Sequence, residues 1–239
     1  MKQFLFTALA CFTVLPLLAQ QHLRGDSSGI APFEGIIGYH IQYEGKIPAS
    51  MRAYLPDSMT MHVGKNGLLY RYHGGQIAGL QAQLIWDGDV QEFWLLDSLH
   101  QTADSRSPIW RGTLPVPKKL SKEPTRKILG HPTAVYMLVQ EKQVDKLAEK
   151  IWVNDSIRFG GMLDDSLRLQ EPAFLAAGFR QIPLQTRRVH AGEIITTMTA
   201  VTIAPGPQNI WLFKVPEPYR MHEFDPSKPW HPILEQKKE

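Results

Sequence analysis

Short runs of alternating apolar and polar side chains recur along most of this 239-residue chain, and turn-forming residues separate them. Strict alternation places every second side chain on one face of a β-strand. Asn66-Gly67 and Asp87-Gly88 each lie between two such runs, and both dipeptides are typical of hairpin turns. The runs occupy residues 33–43, 59–63, 68–72, 80–86, 90–96, 133–139, 148–153, 181–189 and 193–203. The pattern predicts about nine strands, each beside its neighbour in sequence, in an antiparallel meander.

The predicted fold class is therefore mainly β with minor α. Each run has one apolar face and one mixed face, as expected of an antiparallel sheet that buries one side. Such a sheet either curls around its own apolar face, as a half-barrel, or packs against a second sheet. Residues 162–177 have helical spacing and end at Gly178, with Pro172 inside them, which predicts a short or interrupted helix.

The N-terminus has the pattern of a secretory signal peptide. Lys2 precedes an apolar run over residues 4–18, and Ala19 is a small residue at a suitable cleavage position. The run is shorter than the roughly 20 residues that a membrane-spanning helix needs. We therefore expect a periplasmic or extracellular protein without a transmembrane segment after cleavage.

Cleavage is expected close to Ala19, so that the mature chain begins at or near Gln20. N-terminal mass analysis of the exported protein tests this directly. An intact Met1, or a lipid attached to Cys11, would contradict the prediction.

The predicted domain organisation has four parts. A signal peptide (1–19) and a polar leader (20–31) precede a single β domain (32–222), and an extended tail (223–239) follows it. Residues 105–130 interrupt the strand pattern with four prolines and several basic residues, which predicts a long connection. Long connections either cover a site or run through solvent as linkers.

Cysteine content and charge exclude several classes of function. Cys11 is the only cysteine and lies in the expected signal peptide, so the mature domain has no disulfide and no thiol nucleophile. The formal net charge is +3, and no basic run is longer than two or three residues. The sequence therefore predicts that nucleic acid is not a partner.

The sequence contains few catalytic or metal-binding patterns. Residues 25–29 (GDSSG) have the spacing Gly-x-Ser-x-Gly, but they lie in the polar leader and follow no predicted strand, whereas Gly-x-Gly-x-x-Gly and His-Glu-x-x-His do not occur. The tail residues His222, Glu223, Asp225 and His231 are suitable metal ligands in type, but the prolines among them indicate an extended segment. We expect no catalytic residues, no metal and no cofactor, and hence a protein that is not an enzyme.

A ligand site is predicted on the concave face of the sheet. Alternation along the strands assigns apolar and aromatic side chains to that face, although a register error of one residue would reverse the assignment. The candidate lining residues are Ile37, Tyr39, Ile41, Leu84, Trp86, Phe93, Leu95, Tyr136 and Trp152.

Several short phrases, in a fixed order, extend over nearly the whole mature chain. They are 33–39 (FEGIIGY), 59–62 (MTMH), 84–87 (LIWD), 127–132 (KILGHP), 151–155 (IWVND) and 212–219 (LFKVPEPY). With these phrases the chain resembles a family of secreted proteins of Gram-negative bacteria, grouped as a domain of unknown function and related in fold to lipoprotein carriers of the LolA and LppX type. The chain departs from that pattern at Ala134, where relatives often carry cysteine, and in lacking a lipobox.

The resemblance implies a curved half-barrel with helical lids over an apolar inner face, and a periplasmic or outer-membrane setting. It brings no catalytic residues. Two functions follow as hypotheses. In the first, the inner face holds an apolar ligand such as a lipid or a lipoprotein acyl chain. In the second, the core is filled and the protein is a structural or interaction protein with a partner in the cell envelope.

Overall fold

A computed structural model describes residues 30–75, 83–90, 92–98, 100–106, 118–139, 148–160, 180–189 and 194–222. The strands within them are β1 (Gly35–Glu44), β2 (Ser58–Val63), β3 (Gly67–His73), β4 (Gln83–Asp87), β5 (Glu92–Asp97), β6 (Thr102–Arg106), β7 (Lys118–Lys119), β8 (Arg126–Ile128), β9 (His131–Val139), β10 (Ala148–Arg158), β11 (Gln181–Val189), β12 (Ile195–Pro205) and β13 (Arg220–His222). A short helix, α1 (Ala49–Arg52), and a 3-10 helix (Ile210–Phe213) complete the described elements.

One open sheet contains all of these strands except β8, in the order β13-β6-β5-β4-β3-β2-β1-β12-β11-β10-β9-β7, and β8 pairs with β9. The predicted fold class, a mainly β protein with one curved antiparallel sheet, is confirmed. The sheet consists of two meanders, β1–β6 and β9–β12, joined where β1 pairs with β12. The β13–β6 pair is parallel.

The described residues contain thirteen strands where the sequence predicted about nine. The predicted connection 105–130 includes the end of β6 and the short strands β7 and β8, and β13 follows the last predicted strand. Three of these four strands have only two or three residues, too few for alternation to be visible. The helix predicted over 162–177, the signal peptide and the tail beyond His222 lie outside the described residues.

The main core cluster contains buried side chains from β1–β4 and from β8–β12. Ile37, Tyr39 and Ile41 of β1 lie in it, and we call the face of the sheet that carries them the inner face. The Tyr39 hydroxyl donates a 3.0 Å hydrogen bond to the carbonyl of Pro183 on β11, although β12 lies between the two strands. A side chain that reaches across a neighbouring strand in this way indicates that the sheet curls toward the inner face here.

Candidate functional site

The nine predicted lining residues differ in burial. Ile37, Tyr39, Ile41, Trp86 and Trp152 are buried in the main core cluster. Leu95 and Tyr136 are half-buried. Leu84 and Phe93 have defined strand positions, but their side chains lie outside the described part of the structure.

The register of the sheet brings most of these residues to one face. Trp86 pairs with Phe93, and Leu84 pairs with Leu95, so these four positions share a face at the β4–β5 hairpin. The ladder pairs Trp86 with Leu68, which lies on the inner face with the β1 residues. The alternation of the sequence thus correctly assigned the predicted residues of β1, β4 and β5 to one face of the sheet.

Tyr136 and Trp152 occupy opposite faces of the β9–β10 ladder, although both were predicted to line one face. Tyr136 pairs with Ile151, whereas Trp152 pairs with Val135. The pairs that continue from Ile151 lead across the sheet to Ile41 on the inner face. The ladder partners of Trp152 lie on the other face, yet its ring still belongs to the main core cluster.

Three of the inner-face residues are packed as in a protein core, which bears on whether this face is a core or a pocket. Ile37 and Trp86 are 0% exposed and Tyr39 is 1% exposed. A space large enough for water beside these side chains would leave part of their surface accessible. The described inner face therefore has the packing of a protein interior at these positions.

The opposite face is covered at β3–β6 by a segment that we call the strap (residues 206–222), which follows β12 and ends as β13. Phe213 of the strap packs against a second cluster on this face. The cluster contains Leu69, Ile85, Trp94, Leu96 and Ala103, with the half-buried Leu212, Val215 and Tyr219 around it. Gly64 and Gly67 lie directly beneath the Phe213 ring, where any Cβ would overlap it. The β2–β3 turn thus makes room for one aromatic side chain.

Polar contacts fix the strap to the sheet along its length. Lys214 Nζ lies 2.7 Å and 2.9 Å from the two carboxylate oxygens of Asp87, and 2.7 Å from Asp89 Oδ2. The bond from Lys214 holds the pKa of Asp89 below its usual value, and a bond from Asn66 adds to this. Burial by itself would lower the pKa of Lys214, but its bonds to Asp87 and Asp89 raise it. Asp89 and Lys214 are therefore charged at neutral pH, and the three groups act as structural contacts of the strap.

A histidine joins the strap to β2. His62 Nδ1 lies 3.1 Å from Oε1 of Gln208 in the strap. Burial lowers the pKa of His62 below its ordinary 6.5; the bond with Gln208 opposes this shift, and the charge of Arg71 adds to it. The folded protein therefore favours the neutral imidazole.

The protein is expected to lose stability as the pH falls from about 6.5 through the lower pKa of folded His62. In this interval the unfolded chain binds a proton that the folded chain does not, so acid favours unfolding. Replacing His62 by glutamine should reduce the difference between urea midpoints at about pH 7.5 and about pH 5. The exposed His40 provides a matched His→Gln control. Equal pH dependence in wild type and His62→Gln would contradict the prediction.

Polar and basic side chains collect on the outer face of β10–β12, away from the strap. Arg187 of β11 lies opposite Lys150 of β10 and opposite Thr197 of β12. Nothing in the linear sequence groups these residues, because they come from separate strands. The alternation of 148–153 and 181–189 was visible, but their pairing was not.

Neither a membrane-spanning helix nor a cluster of metal ligands occurs within the described residues. No described helix has the length and apolar content needed to cross a membrane. No group of three or more His, Cys, Asp or Glu in the described part could hold a metal ion. Nδ1 of His222, one of the four candidate metal ligands in the tail, lies 3.1 Å from Oδ1 of Asp104 on β6. The other three candidate ligands lie outside the described residues.

Comparisons with known proteins give distant structural similarities. No protein-family model and no curated protein matches the chain. Two crystal forms of PNGF-II align with 81% of this chain at 16% identity, with TM-scores of 0.47 and 0.46, and this chain spans only 31% of their length. A LolA superfamily protein from Nitrosomonas europaea aligns with 76% of this chain and 90% of its own, at 11% identity and a TM-score of 0.33. At this level of similarity the function has to be argued from the chain's own residues.

Proposed function

We propose that this protein is a non-enzymatic binding protein of the cell envelope that meets its partner with its outer surface. The observation that carries the proposal is the filled inner face, where Ile37, Tyr39 and Trp86 are almost completely inaccessible. A binding protein whose interior is packed in this way can contact a partner only through its outer surface.

The polar contacts of the described residues support a non-enzymatic role. The buried carboxylates Asp87 and Glu149 are paired with Lys214 and Arg188, so they hold neighbouring elements together. Catalytic acids and bases instead need a reacting group within hydrogen-bond reach. The envelope setting rests on the N-terminal 19 residues, which we expect to direct export.

The first sequence-based hypothesis, a lipid or acyl chain held on the inner face, stays a prediction. It requires apolar side chains on one continuous surface, and the main core cluster supplies them. It also requires space beside those side chains, which a ligand would create only by displacing some of the core. A filled core therefore favours the surface-binding function over the apolar-ligand function.

Native mass spectrometry of the protein, purified from its own cell envelope, separates the two functions. We expect the mass of the mature chain alone and no increase in fluorescence of an added apolar dye. A lipid carrier purified by the same procedure serves as the positive control. A lipid that co-purifies with this chain, or saturable binding of the dye, would overturn the proposal.

A further inference from the structure

A line of side chains crosses the outer face of the sheet from β7 to β1 and contains three basic residues. We call it the basic row, and it consists of Lys118, Met137, Lys150, Arg187, Thr197 and Gln42, each opposite the next in the ladder. Residues directly opposite one another share a face of the sheet. Five interstrand steps of about 4.8 Å make the row roughly 24 Å long.

Lys150 and Arg187 are directly opposite in this row, and like charges in that position repel. Glu123 offsets part of the repulsion with a 2.6 Å ion pair to Lys150. Arg187 makes neither a hydrogen bond nor an ion pair within the part of the chain that the structure describes. A sequence that keeps two facing cations at a cost in stability indicates a use for them outside folding.

The segment between β7 and β9 adds further positive charge beside the row. The Arg126 guanidinium lies 4.2 Å above the ring of Trp152, which is two residues along β10 from Lys150. Lys122 and Lys127 of the same segment are exposed. Arg126 of the predicted 105–130 connection thus lies against Trp152 on β10, the strand that carries Lys150.

Neutral hydrogen-bonding groups occupy the next line of positions on one side of the row. Trp152 pairs with Gln185, Gln185 pairs with Thr199, and Thr199 pairs with His40. The Gln185 amide donates a 2.9 Å bond to the Thr199 hydroxyl. His40 and Gln42 are exposed beyond them. The face therefore combines a line of cations with hydroxyl, amide and imidazole groups.

We infer that the basic row, with Arg126 beside it, binds an acidic polysaccharide laid across the strands. This inference rests on the proposed function, because it names the partner that the outer surface would take. Guanidinium and ammonium groups bind the carboxylates of uronic acid units. Amide and imidazole groups, here the exposed Gln42 and His40, bind sugar hydroxyls.

Two other polyanions fit this face less well. Single-stranded nucleic acid is bound by aromatic platforms on which bases stack, and Trp152 is only 8% exposed beneath Arg126. A lipid surface is bound by basic residues next to apolar side chains that insert. The apolar residues that flank the row on its other side, Val189 and Ile195, are half-buried, so they offer little surface for insertion.

The test is the binding of polygalacturonate to the full mature chain, measured by biolayer interferometry. Wild type should bind polygalacturonate, with an affinity that falls as salt is added, and should not bind neutral dextran. The double variant Lys150→Gln/Arg187→Gln should bind roughly tenfold more weakly or worse, because two charge-assisted contacts are lost. Its thermal midpoint should stay close to that of wild type, because losing the repulsion between the facing cations offsets losing the Lys150–Glu123 ion pair.

A charge-matched control separates the site from an effect of net charge. Lys65→Gln/Arg220→Gln also removes two cations, at exposed positions on the β2–β3 turn and on β13 at the opposite edge of the sheet. This control should bind polygalacturonate like wild type. If the first double variant does not fold, Lys118→Gln/Arg126→Gln replaces it, since both residues are exposed.

The inference is overturned if wild type does not bind polygalacturonate, or if the two double variants weaken binding equally. It is also overturned if single-stranded DNA or vesicles of phosphatidylglycerol and phosphatidylcholine bind more tightly than polygalacturonate. None of these results would place a lipid in the core, so the proposed function fails only in the mass-spectrometric test.

Discussion

Replacing Trp86 by alanine is expected to lower the free energy of unfolding by about 3–5 kcal/mol. The side chain is completely buried between the β3 and β5 ladders, where Leu68 and Phe93 are its cross-strand partners. Its removal loses apolar burial and leaves a cavity that a packed interior fills only in part. Urea denaturation followed by circular dichroism measures the change. If the alanine variant does not fold, Trp86→Phe should show a smaller loss of the same sign.

Trp211 provides the matched control for this substitution. It lies in the strap and is 72% exposed, so Trp211→Ala should change the free energy of unfolding by no more than about 0.5 kcal/mol. A Trp86→Ala variant as stable as Trp211→Ala would mean that the inner face is not a filled core. The apolar-ligand function would then become the better account of this face.

Replacing Phe213 by alanine is expected to cost about 3 kcal/mol and to loosen the strap. The ring is 4% exposed and fits over Gly64 and Gly67 in the second cluster. Limited proteolysis should cut the variant in the strap faster than wild type, and urea denaturation should show the loss of stability. The neighbouring Ile210 is 65% exposed, so Ile210→Ala is the control and should change neither measurement.

The packing of Phe213 against the β2–β3 turn can also be tested by substituting a glycine of that turn. A methyl group at Gly64 would overlap Cε2 and Cζ of Phe213, so Gly64→Ala should cost about 1–3 kcal/mol through overpacking. In the double variant Gly64→Ala/Phe213→Ala those ring atoms are absent, and the methyl group has space. Its cost should therefore be smaller than the sum of the two single costs. Additive costs would show that the two residues do not share this contact.

The mainly β class and the hairpins of the first meander were predictable, because both depend on residues close together in the chain. Alternation in 33–43 and 68–72 fixed which residues face the core, and Asn66-Gly67 marked the turn between β2 and β3. The inner-face positions Ile37, Tyr39 and Trp86 followed from the same period of two. That Gly67 also accommodates Phe213 was not predictable, since the contact joins residues 146 positions apart.

The candidate surface was the least predictable part. Lys118, Lys150 and Arg187 belong to separate strands, and no basic run in the sequence is long enough to reveal them. Tyr136 and Trp152 were assigned to one face, and their ladder partners place them on opposite faces. Alternation gives the two faces of each strand but not the offset between strands, and an offset of one residue exchanges the faces.

The sequence by itself thus determined the local part of this protein, namely the strands, their turns and the apolar side of each strand. Backbone geometry sets the period of two and the turn chemistry, and both act within a few residues. Only the tertiary structure decided the pairing of β1 with β12, the path of the strap and the composition of the basic row. Each of these depends on contacts between distant segments, whose free energy comes from packing and pairing that no single segment specifies.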